Sequence, residues 1–132
     1  MILGFDPGRD KCGLAIMARD RTLHYHQVVA AELAIATVEQ LRQVHLISVL
    51  VIGNQTTAKT WHKQLQAELS PGLEITLIDE RYSTLEAGER YWQMYPPQGL
   101  ARLIPPGMRT LPRPVDDIVA IVLIERYLDT LP

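Results

Sequence analysis

Three apolar segments of this chain each meet a carboxylate at one end, and that recurrence limits what the polypeptide can build. Ile2-Leu3-Gly4-Phe5 stops at Asp6-Pro7-Gly8, Ile75-Thr76-Leu77-Ile78 runs into Asp79-Glu80-Arg81, and Asp116-Asp117 open the last long apolar segment. A fold that brings those three edges together gathers negative charge with few neutralising partners, which is a place for divalent cations. A fold that keeps them apart leaves three ordinary features. Asp6 is then a turn acid, Glu80 a surface acid, and Asp116 and Asp117 satisfy the first amides of a helix.

The spacing of apolar residues supplies the order of elements. Residues 1–5 are apolar throughout, as in a strand buried on both faces. Residues 13–17 and 23–29 give two more short runs, joined closely enough for an antiparallel meander. Helical spacing follows over 32–44, with Leu33, Thr37, Leu41 and Val44 on one face. A β-branched run over 46–52 stops at Gly53, and 57–69 carries Trp61, Leu65 and Leu69 at i, i+4 and i+8. Residues 74–78 form a fifth strand. Ser83-Thr84-Leu85-Glu86 has the form of a capping box and predicts a helix start.

Six of the nine prolines fall within 95–114, which predicts a stiff, irregular connection that packs down partly through Leu100, Leu103, Ile104 and Met108. Residues 115–128 predict a helix apolar almost all round and buried against the sheet. Strand-helix-strand steps in the second half imply parallel pairing with right-handed crossovers. The expected architecture is therefore one α/β domain over residues 1–132. Its five-stranded mixed sheet begins as an antiparallel meander, continues with parallel strands and carries helices on its faces.

Thirteen basic against fifteen acidic residues give a net charge of −2, so the chain is no general coat for duplexes. Contact with nucleic acid has to come from a local basic patch. The single cysteine, Cys12, excludes an intrachain disulfide framework and fits a reducing compartment. His24, His26, His45 and His62 lack zinc-ligand spacing. The longest apolar stretch, 118–124, is too short to span a bilayer. The expectation is a cytoplasmic protein with no membrane partner.

In an open α/β sheet, ligands gather beyond the carboxyl ends of the strands. Asp6 and Glu80 lie at or just past such ends, and a helix opening at Asp116 closes the group. Hard oxygen ligands suit Mg²⁺ or Mn²⁺, and two such ions roughly 4 Å apart activate a water and stabilise the leaving oxygen of a phosphodiester. Neighbours on a helix sit about 100° apart, which favours Asp116 over Asp117 and leaves Asp117 open as a fourth acid. Arg9 and Lys11 follow Asp6, Arg81 follows Glu80, and Arg113 precedes Asp116, so each acid has a cation near it for a substrate phosphate. Lys59 and Lys63 read as a solvated face. Tyr91, Trp92 and Tyr95 offer either stacking surfaces for unpaired bases or core, with Trp92 assigned to core. Cys12 reads as a small packed residue, and nothing marks His24 or His26 as ligands.

Taken together, these residues resemble the YqgF family, the Holliday-junction-resolvase-like or pre-16S rRNA-processing nucleases of the RNase H-like superfamily. The resemblance rests on Asp6-x-Gly8-x-x-x-x-Gly13-x-Ala15, on Asp79-Glu80-Arg81-x-Ser83-Thr84-x-Glu86-Ala87, and on Val115-Asp116 opening the final helix. It implies an RNase H-like sheet and Asp6, Glu80 and Asp116 as metal-binding catalytic acids. It also implies metal-dependent endonucleolytic cleavage in maturing the 5′ end of pre-16S rRNA, with resolution of branched DNA as the alternative. The loop Gly53-Asn54-Gln55-Thr56-Thr57 is shorter than the family's and lacks its proline, and Asp117 stands where the family often has a small residue. A third reading keeps the fold without the chemistry, as an RNA-binding assembly factor. Oligomeric state stays open, since junction resolution would call for a two-fold dimer.

Overall fold

In the computed structural model, which describes residues 1–55, 57–69 and 71–132, the sheet has five strands in the order β3-β2-β1-β4-β5. β1 (Ile2–Asp6), β2 (Lys11–Met17) and β3 (Leu23–Ala30) form the antiparallel meander. β4 (Val49–Gly53) pairs parallel with β1, and β5 (Glu74–Ile78) parallel with β4. β1 and β5 thus point the same way, and their carboxyl ends share one rim. The helices are α1 (Ala34–Val44), α2 (Ala58–Glu68), α3 (Ser83–Met94) and α4 (Asp116–Thr130).

The central strands are apolar throughout because alternate residues enter different cores. Ile2, Ala15, Met17, Val49 and Val51 pack on the α3/α4 side, where Ile118 to Ile124 of α4 fill most of the volume. Leu3, Phe5, Leu14, Ile16, Leu50 and Ile52 pack on the α1/α2 side, against Val38 and Leu65. With a layer on each face, period-two patterning has no polar face to show. Edge strand β3 is only half covered.

Three local expectations change. The buried face of α1 is Ala34 and Val38, flanked by Ile35 and Leu41, while Leu33 and Val44 are exposed. A one-turn 3₁₀ segment, Ala31–Leu33, precedes the helix and rotates it one residue from the predicted face. β4 starts at Val49, not at residue 46, because Leu46 lies outside the sheet and is exposed. The capping box does not form. Ser83 is buried inside the first turn of α3, Tyr82 precedes it in the left-handed region at φ 62°, and Glu86 pairs with Arg126 at 2.8 Å. Within 95–114 two short 3₁₀ turns, Gly99–Leu103 and Pro106–Met108, are the only regular structure among the described residues, and contrary to expectation Leu100, Leu103, Ile104 and Met108 all remain exposed. No described helix is long and apolar enough to cross a membrane.

Candidate functional site

Asp6 is the last residue of β1 and lies opposite Gly13 of β2. A Cβ at Gly13 would run into the carbonyl oxygen of Asp116. Only glycine lets the first turn of α4 start against β2, which brings Asp116 beside Asp6. Gly53, at the end of β4, does the same for the third acid, since the Glu80 carboxylate rests where its Cβ would be. The backbone N–H of Gln55 donates to Glu80 Oε1 at 2.6 Å. Thr56 of the shortened loop lies outside the described residues.

The three acids therefore share one rim, and their charges act on one another. The Asp6 carboxyl is pushed up from 3.8 to about 8, first by burial, then by the charges of Asp116 and Glu80 and by a hydrogen bond with Asp116. Burial and the two neighbouring acids thus all oppose ionisation of Asp6. Burial also raises Glu80, against the opposing pull of the Gln55 N–H and of Arg126. Asp6, Gln55, Glu80, Tyr82 and Thr84 line a cavity of about 170 Å³. The left-handed Tyr82 beside it is a bulky residue in a conformation that costs about 1–3 kcal/mol, and such strain clusters at functional sites.

Among the described residues, no three His, Cys, Asp or Glu side chains stand at distances that would hold one ion between them. Glu80 is turned onto the Gln55 N–H, away from the two aspartates. The donor set nevertheless suits a hard divalent cation. It offers only carboxylate oxygens, and neither Asp6 nor Asp116 has a basic partner among the described residues. A cation among them would relieve the repulsion that raises Asp6.

Asp117, the next residue on α4, has the opposite surroundings. It is 2% exposed, and Arg113 donates to Oδ1 at 2.9 Å and to Oδ2 at 3.3 Å. His26 on β3 lies 2.6 Å from Oδ2, and the Tyr95 hydroxyl lies 3.3 Å from the other ring nitrogen of His26. Burial pushes the Asp117 carboxyl up, but the hydrogen bonds from Arg113 and His26 win and hold it below the usual range. An ionised Asp117 fixes Nδ1 of His26 as the donor. Both Asp117 oxygens are thus engaged away from the acid cluster. The sequence reading passed over this network of Arg113, Asp117, His26 and Tyr95. Its longest link spans 91 residues, and alternating histidines on a strand give no sign of it.

The cations divide similarly. Arg113 is held by Asp117 and by the Pro114 carbonyl at 2.7 Å, and it stacks over Tyr91. Arg81 is exposed and grips Asp79, with Nη2 3.0 Å from Oδ2. Arg9 is exposed on the β1–β2 connection and Lys11 at the start of β2, both at the rim, and Lys59 and Lys63 are exposed on α2. Tyr91 is buried, and Trp92 is half-buried against the α3/α4 core with Arg109 over its ring. Cys12 is buried, with its thiol pushed up by burial.

Solved structures share this fold. Thermus thermophilus RuvC in complex with Holliday junction substrate matches with a TM-score of 0.61 at 19% identity, covering 92% of this chain and 88% of that one. A second structure of Thermus thermophilus RuvC matches with a TM-score of 0.53 at 14% identity over the same shares. The chain thus has the RNase H-like fold of these structures. No curated protein matches the sequence. The family model described as RuvX: Holliday junction resolvase matches residues 1–130, and the chain belongs to that family of Holliday junction resolvase-like nucleases.

Proposed function

We propose that the protein is a divalent-metal-dependent endonuclease in which Asp6, Glu80 and Asp116 hold Mg²⁺ or Mn²⁺, and that its task is maturation of the 5′ end of pre-16S rRNA. The observation that carries the metal site is the gathering of Asp6, Asp116 and Glu80 on one rim, with Asp6 buried beside the other two and no basic partner at Asp6 or Asp116 among the described residues. Ions bound there would supply an activated water and neutralise the leaving oxygen of the phosphodiester. Asp6 and Asp116 would hold the ions from the β1 and α4 sides, and Asp6 would be ionised as a ligand. Glu80, already oriented by the Gln55 N–H, completes the acid set from the β4–β5 side. Asp117, fixed by Arg113 and His26, holds the first turn of α4 so that Asp116 faces Asp6. Lys11 and Arg9 on the rim offer charge to the flanking phosphates, and Arg81 does so once it releases Asp79.

The pre-16S assignment comes from the motif resemblance. Cleavage of branched DNA is the second reading, favoured by the family's description and by the RuvC match bound to a Holliday junction. Both substrates are offered side by side with Mn²⁺, to wild type and to Asp6→Asn. Cleavage of the precursor RNA alone, lost in the variant, supports the first reading, and cleavage of the four-way junction alone moves the assignment to the second. RNA binding with no cleavage of either substrate would leave an assembly factor.

A further inference from the structure

We infer that the β3 side of the rim carries a separate subsite for an unpaired nucleotide, with its base stacked on Tyr95 and its phosphate at Lys11. The inference rests on the nuclease reading above and extends it to substrate form. Between edge strand β3 and the segment leading into α4 lies a cavity of about 600 Å³, lined by Lys11, Val28, Val29, Tyr95, Arg113 and Asp117 among others. That volume falls within the ~300–1,000 Å³ of small-ligand sites. It opens directly beside the acids. Asp117 follows Asp116, and Lys11 lies two residues before Gly13, the residue paired with Asp6.

The walls match the parts of a nucleotide. The Tyr95 ring is 42% exposed and is braced from two directions, by the Tyr91 ring at 5.1 Å between centroids and by its hydroxyl on His26. A ring held this way presents a stacking face with little rotamer freedom left to lose. Val28, half-buried on the same strand face as His26, supplies an apolar side. Lys11 is exposed and has no ion-pair partner among the described residues. Arg113 and His26 are engaged by Asp117 and form the floor of the pocket. A base inside a continuous duplex is already stacked on both faces and cannot reach Tyr95 unless it flips out, so the pocket selects single-stranded or unpaired positions.

The test is binding in EDTA, where no turnover occurs. It uses ten-nucleotide ribo- and deoxyribo- single strands that carry one 2-aminopurine, with the matching duplexes. Tyr95→Ala should weaken single-strand binding about tenfold and abolish the quenching of 2-aminopurine, with duplex binding unchanged. Tyr95→Leu, apolar but without an aromatic face, should behave as Tyr95→Ala does. Tyr95→Phe, which keeps the ring and loses the His26 bond, should stay within about twofold of wild type. The proposal is overturned if Tyr95→Ala binds single strands as wild type does, if Tyr95→Phe is as weak as Tyr95→Ala, or if wild type binds no single strand. Cleavage by wild type in Mn²⁺ is scored separately. Tyr95-dependent binding without cleavage removes the nuclease reading alone, and cleavage with Tyr95-independent binding removes the subsite alone.

Discussion

Asp116 and Asp117 are adjacent in the same helical turn, yet they belong to opposite electrostatic worlds. Asp116 lies beside Asp6 with no basic partner among the described residues, whereas Asp117 is 2% exposed and has both oxygens taken by Arg113 and His26. Burial alone raises a carboxyl, and it is the first cause acting on both Asp6 and Asp117. Only the partners differ, and they send the two acids in opposite directions. A neutralised buried acid holds a fold together. An unneutralised group of acids destabilises the fold, and a cation bound as proposed above would offset that cost.

The largest expected effect follows from removing the unneutralised charge. Asp6→Asn should lower cleavage by ~100-fold or more in a single-turnover assay, while the metal-free protein melts at a higher temperature than wild type. Full activity in that variant would separate Asp6 from the chemistry. On the other side of the turn, Asp117→Ala leaves Arg113 and His26 without their partner. It should cost about 2–3 kcal/mol of stability, or about 10 °C in Tm for a chain of this size. A melting curve indistinguishable from wild type would show that the network is not structural.

Divalent cations should sharpen the contrast in calorimetry. At one hundred times Kd, Mn²⁺ adds about 2.7 kcal/mol to the stability of a protein that binds it only when folded. That gain should vanish in Asp6→Asn, and its persistence there would place the ion elsewhere. Without metal, pH acts through the same residue. The folded Asp6 titrates at about 8 and the unfolded one near 3.8. Its favourable contribution is therefore complete below pH 4 and is lost as pH rises to 8, at up to ~1.4 kcal/mol per pH unit. Denaturant midpoints should fall across that window in wild type and flatten in Asp6→Asn. Arg81→Ala should change least. It breaks an exposed pair with Asp79, so Tm should hardly move, while the salt dependence of substrate binding becomes shallower by about one counterion. An unchanged slope would mean that Arg81 touches no phosphate.

The element order, the mixed sheet and the burial of α4 are legible in the sequence, because central strands covered on both faces must be apolar without interruption. The exact face of α1 is not, since a single 3₁₀ turn at Ala31–Leu33 rotates every later side chain. The Ser83-to-Glu86 pattern marks the start of α3 correctly, but its capping box does not form. Arg126, from a helix forty residues on, reaches Glu86 and the Asp79 carbonyl and competes with the local cap. At the rim, the acids announce themselves by position and Gly13 and Gly53 make room for them, but no spacing rule reveals the bond from His26 to Asp117.

Which residues lie inside, in what order the strands follow, and that three carboxylates sit at buried ends are properties of the linear chain, fixed by the alternation of apolar and polar groups. Which carboxylate is left uncompensated is not such a property. Folding alone determined that Arg113 and His26 would reach Asp117 and not its neighbour, because electrostatic energy depends on distances in space and the partners come from strands and loops far apart along the polymer.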